Sequence, residues 1–408
     1  MTPVKASTAR NIALFPWLKF VESLTFWQAV WFLYFQQNLS AAEAILLYAT
    51  YEVAVTVLEV PSGYMSDRLG RRRTLIASAL AMLSGVVLLA IGGSFGIFMA
   101  GQALIGAGMA FWSGTDSSLL YESLAAEGRE EEIEVHELRA WRFSYTAAAI
   151  SAVAGGALAL LDPSAPFWAT ALAALVVLLL VLACTEPARQ AHREALDGIA
   201  GLRSLKASLL NPVLGWLFVI SLLMYVFSHI PFVFGQPFIL EALSGIGLAS
   251  EAPLISGTVS AIMMGVSVAA SAFALRIRGA MGLRGMVLLA FGMQIGLSAV
   301  MALSNAAMVI AVLFLRMVPN AWSQPFIMAR IQPLLSSDSR ATYLSLKSLC
   351  GRVIFASSLY VASGSTSRVG TMAYGDIRSI LGWYVLAGVV LFAGLFIAAR
   401  RIGATQAD

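Results

Sequence analysis

Glu22 and Glu52 are carboxylates set in long apolar stretches, a placement that suits them to carry a proton. Burial disfavours the charged form of a carboxyl, so a proton taken up there changes the local charge balance. Glu22 lies three residues after Lys19 on one helical face, with Thr25 and Gln28 following. The two charges form either an internal ion pair or, through Glu22, a proton site. Glu52 belongs to the stripe Tyr48, Glu52, Thr56, Glu59 and Gly63, which is too polar to face lipid, and it competes with Glu22 for the same role. Arg316 stays charged when buried, so with Asn320 and Gln324 at successive i+4 steps it requires either a structural carboxylate or an anionic substrate group. Tyr225, His229, Phe232 and Gln236 share a further face, where His229 is either a packing residue or a ligand. The aromatic stretch Trp17 to Phe35 adds stacking surface. The candidate substrate contacts are therefore Gln28, Trp31, Tyr225, His229, Phe232, Arg316, Asn320 and Gln324.

Other patterns carry less chemistry. No nucleophile, base and orienting group can be assembled from these residues, so no enzyme is expected. Cys184 and Cys350 stand far apart in apolar surroundings, with no CxxC or Cys/His cluster to hold a metal or form a redox pair. Gly92-Gly93-Ser94-Phe95-Gly96 fits GxSxG but sits in a helix-to-helix turn without the strand of a nucleophile elbow. The acidic run Glu127 to Glu137 is expected to be a solvated helix, and Gly292 and Gly296 to permit close helix packing.

The elements that must position these residues are set by composition. Of 408 residues, 59% are apolar and 12% charged, against about 45–50% and 25% in a soluble domain. Twelve crossings of about 20 residues would use nearly all the apolar residues. A soluble enzyme, a disulfide scaffold and a nucleic-acid binder are excluded. Apolar runs fall near 12–38, 43–66, 73–93, 95–121, 139–161 and 164–184, then near 211–240, 252–275, 284–304, 305–333, 340–364 and 377–400. The first follows Lys5 and Arg10 and runs on without a small-residue cleavage pattern, so it is expected to remain as a span. In span seven, Pro231 and Pro237 are expected to break the helix. Runs this long and this continuously apolar predict helices rather than barrel strands. The fold class is an all-α polytopic membrane protein with twelve transmembrane helices in two six-helix halves, 1–184 and 211–408, joined by a polar linker, 185–210. Outside the spans, every basic residue except Arg368 and Arg378 shares the side of the N-terminus, so both termini and the linker are expected to be cytoplasmic.

The loop between spans two and three reads Gly63-Tyr-Met-Ser-Asp67-Arg68-Leu-Gly70-Arg71-Arg72-Arg73. A side chain at Gly70 would obstruct the sharp turn expected there. A positive loop explains the arginines but not the acid or the two glycines at set offsets. In this motif and in the six-plus-six plan the chain resembles the major facilitator superfamily of secondary transporters, over almost its whole length. The resemblance implies that Asp67 and Arg71, with Gly63, Arg68 and Gly70, form a gating cluster that stabilises an outward-facing state. Asp116 is either a helix-end charge or the partner of Arg71 in that cluster. The second half has a corresponding loop, Arg276-Ile-Arg278-Gly279-Ala-Met-Gly282-Leu-Arg284-Gly285, with no acid in place of Asp67. The layout is similar to the multidrug/proton antiporter branch. Gln102, however, stands where that pattern has an arginine, and Ser151-Ala152-Val-Ala-Gly155-Gly156 replaces Gly-Pro-x-x-Gly-Gly.

The function expected is export of a small amphipathic organic solute in exchange for protons, by alternating access. The alternatives are proton-coupled import of a metabolite or metal chelate, and a transport-dead receptor or scaffold. No cofactor is expected beyond the proton gradient; the partners are the solute, protons and the bilayer, with no nucleic acid, and the chain is expected to act as a monomer. Arginine outnumbers lysine 22 to 4, which suggests a bacterial inner membrane.

Overall fold

The structure, a computed structural model, describes residues 8–187, 210–335, 337–366 and 372–402. Most of the expected linker, including Arg189, His192, Arg193, Glu194, Asp197, Arg203 and Lys206, lies outside the described residues, as does Arg368. Every regular element among the described residues is helical. In chain order the α-helices are α1 Ala9–Glu22, α2 Trp31–Gln36, α3 Ala41–Leu69, α4 Arg71–Ile91, α5 Phe95–Trp112, α6 Thr115–Ala126, α7 Ile133–Leu161 and α8 Ala165–Ala183. They continue with α9 Pro212–Ser244, α10 Ala252–Ser271, α11 Ala274–Leu303, α12 Val318–Leu334, α13 Ser337–Ser363 and α14 Tyr374–Arg401.

Local chemistry sets several of the starts. Ser40 and Glu43 form a reciprocal capping box before α3: the Glu43 carboxylate accepts from Ser40 N at 2.9 Å, and Ser40 Oγ accepts from Glu43 N at 3.3 Å. Ser94 caps α5 by accepting from Ile97 N, which gives the GxSxG pattern a structural role. Asn211 accepts from Val213 N and Leu214 N, and Pro212 occupies the first turn of α9, where its missing N–H costs nothing.

Eleven helical stretches among the described residues are long and apolar enough to cross a membrane. The expected first span, 12–38, is not one of them, because α1 stops at Glu22 and the chain resumes as a 3₁₀ turn, Phe26–Ala29, and the short α2. Two other expected spans are also interrupted. Span four divides into α5 and α6 at Ser113–Gly114, where Gly114 has φ +76°. Span ten is a 3₁₀ stretch, Ala307–Leu315, followed by α12. Where prolines predicted a break there is none: α9 runs through Pro231 and Pro237. In a buried span a proline forfeits one backbone bond, whereas a full break would strip several groups of partners in a place without water.

The chain forms two compact units: Met1–Leu39 with Leu46–Arg193 and Pro253–Ala261, and Ser40–Ile45 with Glu194–Ala252 and Ile262–Asp408. In the first, α4 packs against α5 and α8, and α1 against α7 and α8. In the second, α11 packs against α14 and α12, and α9 against α13 and α11.

Candidate functional site

In the first unit the Gly63–Arg71 loop builds an ion cluster around one guanidinium. Arg71 Nη1 donates to Asp67 Oδ1 and to Ser66 Oγ, both at 2.7 Å, and Nε donates to Glu122 Oε1 at 3.0 Å. Thr115 Oγ1 donates to Ser66 Oγ, so α3, α4 and α6 meet at this point. Gly70 carries φ +109°, a backbone region that disfavours any side chain. A Cβ there would also lie 2.5 Å from Glu186 Oε1. The Glu186 carboxylate accepts from Arg71 N at 2.7 Å and Arg72 N at 2.9 Å, an anion seated on the N-terminus of α4. Arg68 lies over the Tyr64 ring at 5.4 Å, and Gly63 is exposed on α3 with open space around it.

Asp116 is not the partner of Arg71. It accepts from Lys19 Nζ at 2.9 Å, and Glu22 Oε2 lies 4.0 Å from the same ammonium. Trp112 presents its ring to Lys19 at 5.7 Å, and Ser23 Oγ donates to Glu22. Two of the helix interruptions converge here. α1 ends at Glu22, and α6 begins just before Asp116, which therefore occupies the first turn, where a carboxylate is favoured. The break in span one admits α7 closely: a Cβ at Gly155 would collide with the Phe26 carbonyl. Glu52 is 1% exposed, inside the same unit.

Two expected contacts from span one lie in different surroundings. Trp31 has no exposed surface; it stacks on Tyr48 with ring centroids 5.3 Å apart and meets Phe32 and Phe35 edge-on. It is a core residue here. Gln28 is exposed in the 3₁₀ turn, where its Oε1 accepts from Thr25.

In the second unit, α9 is buried from Tyr225 to Ile239 except at Tyr225, Ser228, His229 and Phe232. Those four half-buried positions form one stripe at helical spacing. Gln236, expected on that face, is buried. His229 Nδ1 is 2.7 Å from the Tyr225 carbonyl, which can only accept, so Nδ1 carries a proton. Its ring lies 4.3 Å from that of Tyr225 and 5.2 Å from that of Phe355.

Arg316 stands at the junction between the 3₁₀ stretch and α12, with its guanidinium 5.1 Å from the Phe232 ring centroid and Nε 3.1 Å from Met263 Sδ. The junction alters the expected i+4 face. Asn320 pairs through Oδ1 with Gln294 Nε2 at 3.2 Å, while Gln324 is half-buried one turn further along α12.

Several participants were not singled out from sequence. Glu122 falls just beyond the expected end of span four, and Glu186 falls in the polar linker, where one more carboxylate draws no notice. Arg352 on α13 reaches Tyr225 OH through Nη1 at 3.4 Å and lies over its ring at 5.8 Å; its signal was a charge inside an apolar run. Glu127 is more than a solvated acid, since it accepts from Thr8 Oγ1 and Ala9 N at the start of α1.

The model of the Major Facilitator Superfamily matches residues 17–359. Among solved structures, the nucleoside transporter NupG is similar over 95% of this chain and 98% of its own, with TM-score 0.75 at 15% identity. The POT family transporter PepTSo is similar over 97% and 99%, with TM-score 0.68 at 14% identity. A bacterial homolog of the human lysosomal transporter Spinster, in an inward-facing and unoccupied conformation, is similar over 97% and 98%, with TM-score 0.66 at 15% identity. No curated protein matches the chain. At these identities the structural likenesses show a shared fold.

Proposed function

The chain belongs to the Major Facilitator Superfamily, and from that premise we propose that it is a secondary transporter exporting a small amphipathic organic anion in exchange for protons. The observation that carries this reading is the coincidence of helix breaks with charge. Lys19 and Glu22 sit where α1 ends, Asp116 where α6 begins, and Arg316 where the 3₁₀ stretch meets α12. A break frees backbone polar groups, and non-helical backbone at membrane depth is tolerated only inside protein or along a water-filled cavity. A charge within a span costs about 2.5–3.5 kcal/mol on insertion scales. Both costs fall at the same residues, as expected where solute and ions are handled.

One ammonium faces two carboxylates in the Lys19, Glu22 and Asp116 group. Asp116 takes the short bond, which leaves Glu22 as the carboxyl able to hold a transported proton, with Glu52 as a second. Arg316 and the half-buried stripe of α9 supply an anion contact and a stacking surface. Asp67 and Arg71 act as the gate, on the cytoplasmic side of a bacterial inner membrane.

The test is reconstitution of the full chain in proteoliposomes with a fluorescent anionic amphiphile, anilinonaphthalene sulfonate, under an imposed pH gradient. Flux opposite to proton flow, abolished by a protonophore and made insensitive to the gradient by Glu22→Gln, is the expected result. Flux in the direction of proton flow would reassign the chain as an importer. Flux indifferent to the gradient removes the coupling, and absence of flux from folded protein favours a receptor.

A further inference from the structure

α7 is longer than a crossing requires. At 1.5 Å per residue its 29 residues extend about 43 Å, whereas a hydrocarbon core about 30 Å thick takes about 20 residues. The far limit is fixed by the turn after Leu161, since α8 begins at Ala165. Counting about 20 residues back from Leu161 brings the other boundary to Arg142, so Arg142 and Arg139 stand at the level of the headgroups. Three residues apart, they are neighbours on the helix surface, and both are exposed. Neither guanidinium has a hydrogen bond or ion pair among the described residues; Arg139 lies over the Phe143 ring at 5.7 Å. Two acids of the same segment are engaged elsewhere: Glu132 with Arg129 at 2.7 Å, and Glu137 close enough to Lys19 to act on its charge. Glu134 and the acids before it lie at least a turn further out from Arg139. On the bilayer side of the arginines the surface is apolar. Trp17 of α1, 52% exposed, meets Phe143 edge-on at 5.2 Å, and Phe20 meets both rings at 6.2 Å. On α7 the exposed stripe that starts at Arg142 continues through Thr146, Ile150 and Val153.

We propose that Arg139 and Arg142 hold the phosphodiester of an anionic phospholipid, whose acyl chains lie along Trp17, Phe143 and the exposed stripe of α7. The occupant follows from complementarity at two depths. At the bilayer surface a cation attracts anionic lipid, and a guanidinium forks onto phosphate oxygens. Deeper in, an acyl chain is the apolar group that a bilayer supplies. A soluble anion would use the arginines and leave the apolar lane unused. A zwitterionic lipid would use the lane, but its headgroup brings a cation of its own and gains less from the arginines. The site lies within the first unit and does not depend on which solute is transported.

The test is quenching of tryptophan fluorescence by tail-brominated lipids, with the full chain reconstituted in phosphatidylcholine vesicles. The contribution of Trp17 is the signal of each protein less that of its own Trp17→Phe derivative. Brominated phosphatidylglycerol is expected to quench Trp17 with an apparent affinity about fivefold or more above that of brominated phosphatidylcholine, the scale of one surface arginine. The Arg139→Gln, Arg142→Gln double variant should bring the two lipids to within about twofold, and Arg139→Lys, Arg142→Lys should keep part of the preference. Arg129→Gln, which removes a charge from the same segment outside the site, should leave the preference unchanged. So should replacing chloride by phosphate in the buffer at constant ionic strength. The melting temperature of each variant establishes that it is folded. Equal quenching by both lipids in wild type, a preference that survives the double Gln variant, or one lost equally in Arg129→Gln would overturn the proposal. A preference abolished by phosphate would assign the arginines to a soluble anion and overturn it as well.

Discussion

Arg71 distributes one charge over unequal partners. Asp67 is 48% exposed and Glu122 only 17%, although both lie within 3.0 Å of the guanidinium. An exposed pair contributes about 0–1 kcal/mol, whereas a charged hydrogen bond withdrawn from water contributes about 1.5–3 kcal/mol. Glu122→Gln is therefore expected to reduce transport more than Asp67→Asn. Asp67→Asn should still reduce transport at near-normal expression and raise the labelling of single cysteines on the Gly70 side. Wild-type turnover in Asp67→Asn would remove the gate assignment, and an Asp67→Asn defect larger than that of Glu122→Gln would reverse the ranking.

At the scale of elements, the two units repeat one device. Gly70 and Gly282 both adopt positive φ, at +109° and +67°, just before spans three and nine. Two residues later, Arg72 Nη2 donates to the Leu182 carbonyl at 2.7 Å and Arg284 Nη1 to the Ala399 carbonyl at 3.0 Å, each near the end of its unit's last span. What the second copy lacks is the charge between: Leu283 follows Gly282 where Arg71 follows Gly70. The turn and its anchor to the last span are thus structural and duplicated, while the ion cluster belongs to the first unit. Three glycine substitutions separate the forces involved. Gly114→Ala meets open space, so its cost is conformational alone, about 1–2 kcal/mol. Gly155→Ala has no unusual φ but collides with the Phe26 carbonyl, an overpacking cost of about 1–3 kcal/mol. Gly70→Ala suffers the strained φ and also displaces Glu186 from the α4 N-terminus, where a lost cap costs about 1 kcal/mol more. Melting temperatures should fall most for Gly70→Ala. A Gly70→Ala melt no lower than that of Gly114→Ala would show that the Glu186 cap adds nothing.

For the whole molecule, the eleven candidate spans among the described residues and the interrupted first segment make opposite demands on topology. If α1, the 3₁₀ turn and α2 together cross the bilayer, the chain has twelve crossings and both termini share a side. If they do not, the termini face opposite sides. Arg10 near one end and Arg400 and Arg401 at the other favour a shared, cytoplasmic side. Reporter fusions at each terminus are expected to be active only as cytoplasmic reporters; a C-terminal reporter active on the far side would reduce the count to eleven.

What sequence alone determined is what bulk hydrophobicity and short motifs determine: an all-helical membrane chain, the approximate limits of most of its spans, the family, and the Gly70 turn with Asp67 and Arg71 beside it. These are legible because the bilayer requires every span to satisfy its own backbone and because glycine is nearly alone in accepting positive φ. The structure decided where helices break and which charges meet. Pro231 and Pro237 predicted an interruption that packing overrode, while span one breaks at residues with no such signature and span ten breaks just before Pro319, in the first turn of α12. Asp116 belongs to Lys19 rather than Arg71, Trp31 to the core rather than a solute contact, and Glu122, Glu186 and Arg352 join sites from positions that looked like span ends, linker and a stray charge. Periodicity assigns a side chain to a face of its own helix. Its partner depends on how neighbouring helices approach and where the backbone departs from the helix, and both arise from contacts between residues up to more than a hundred positions apart, such as Arg71 and Glu186 or Tyr225 and Arg352.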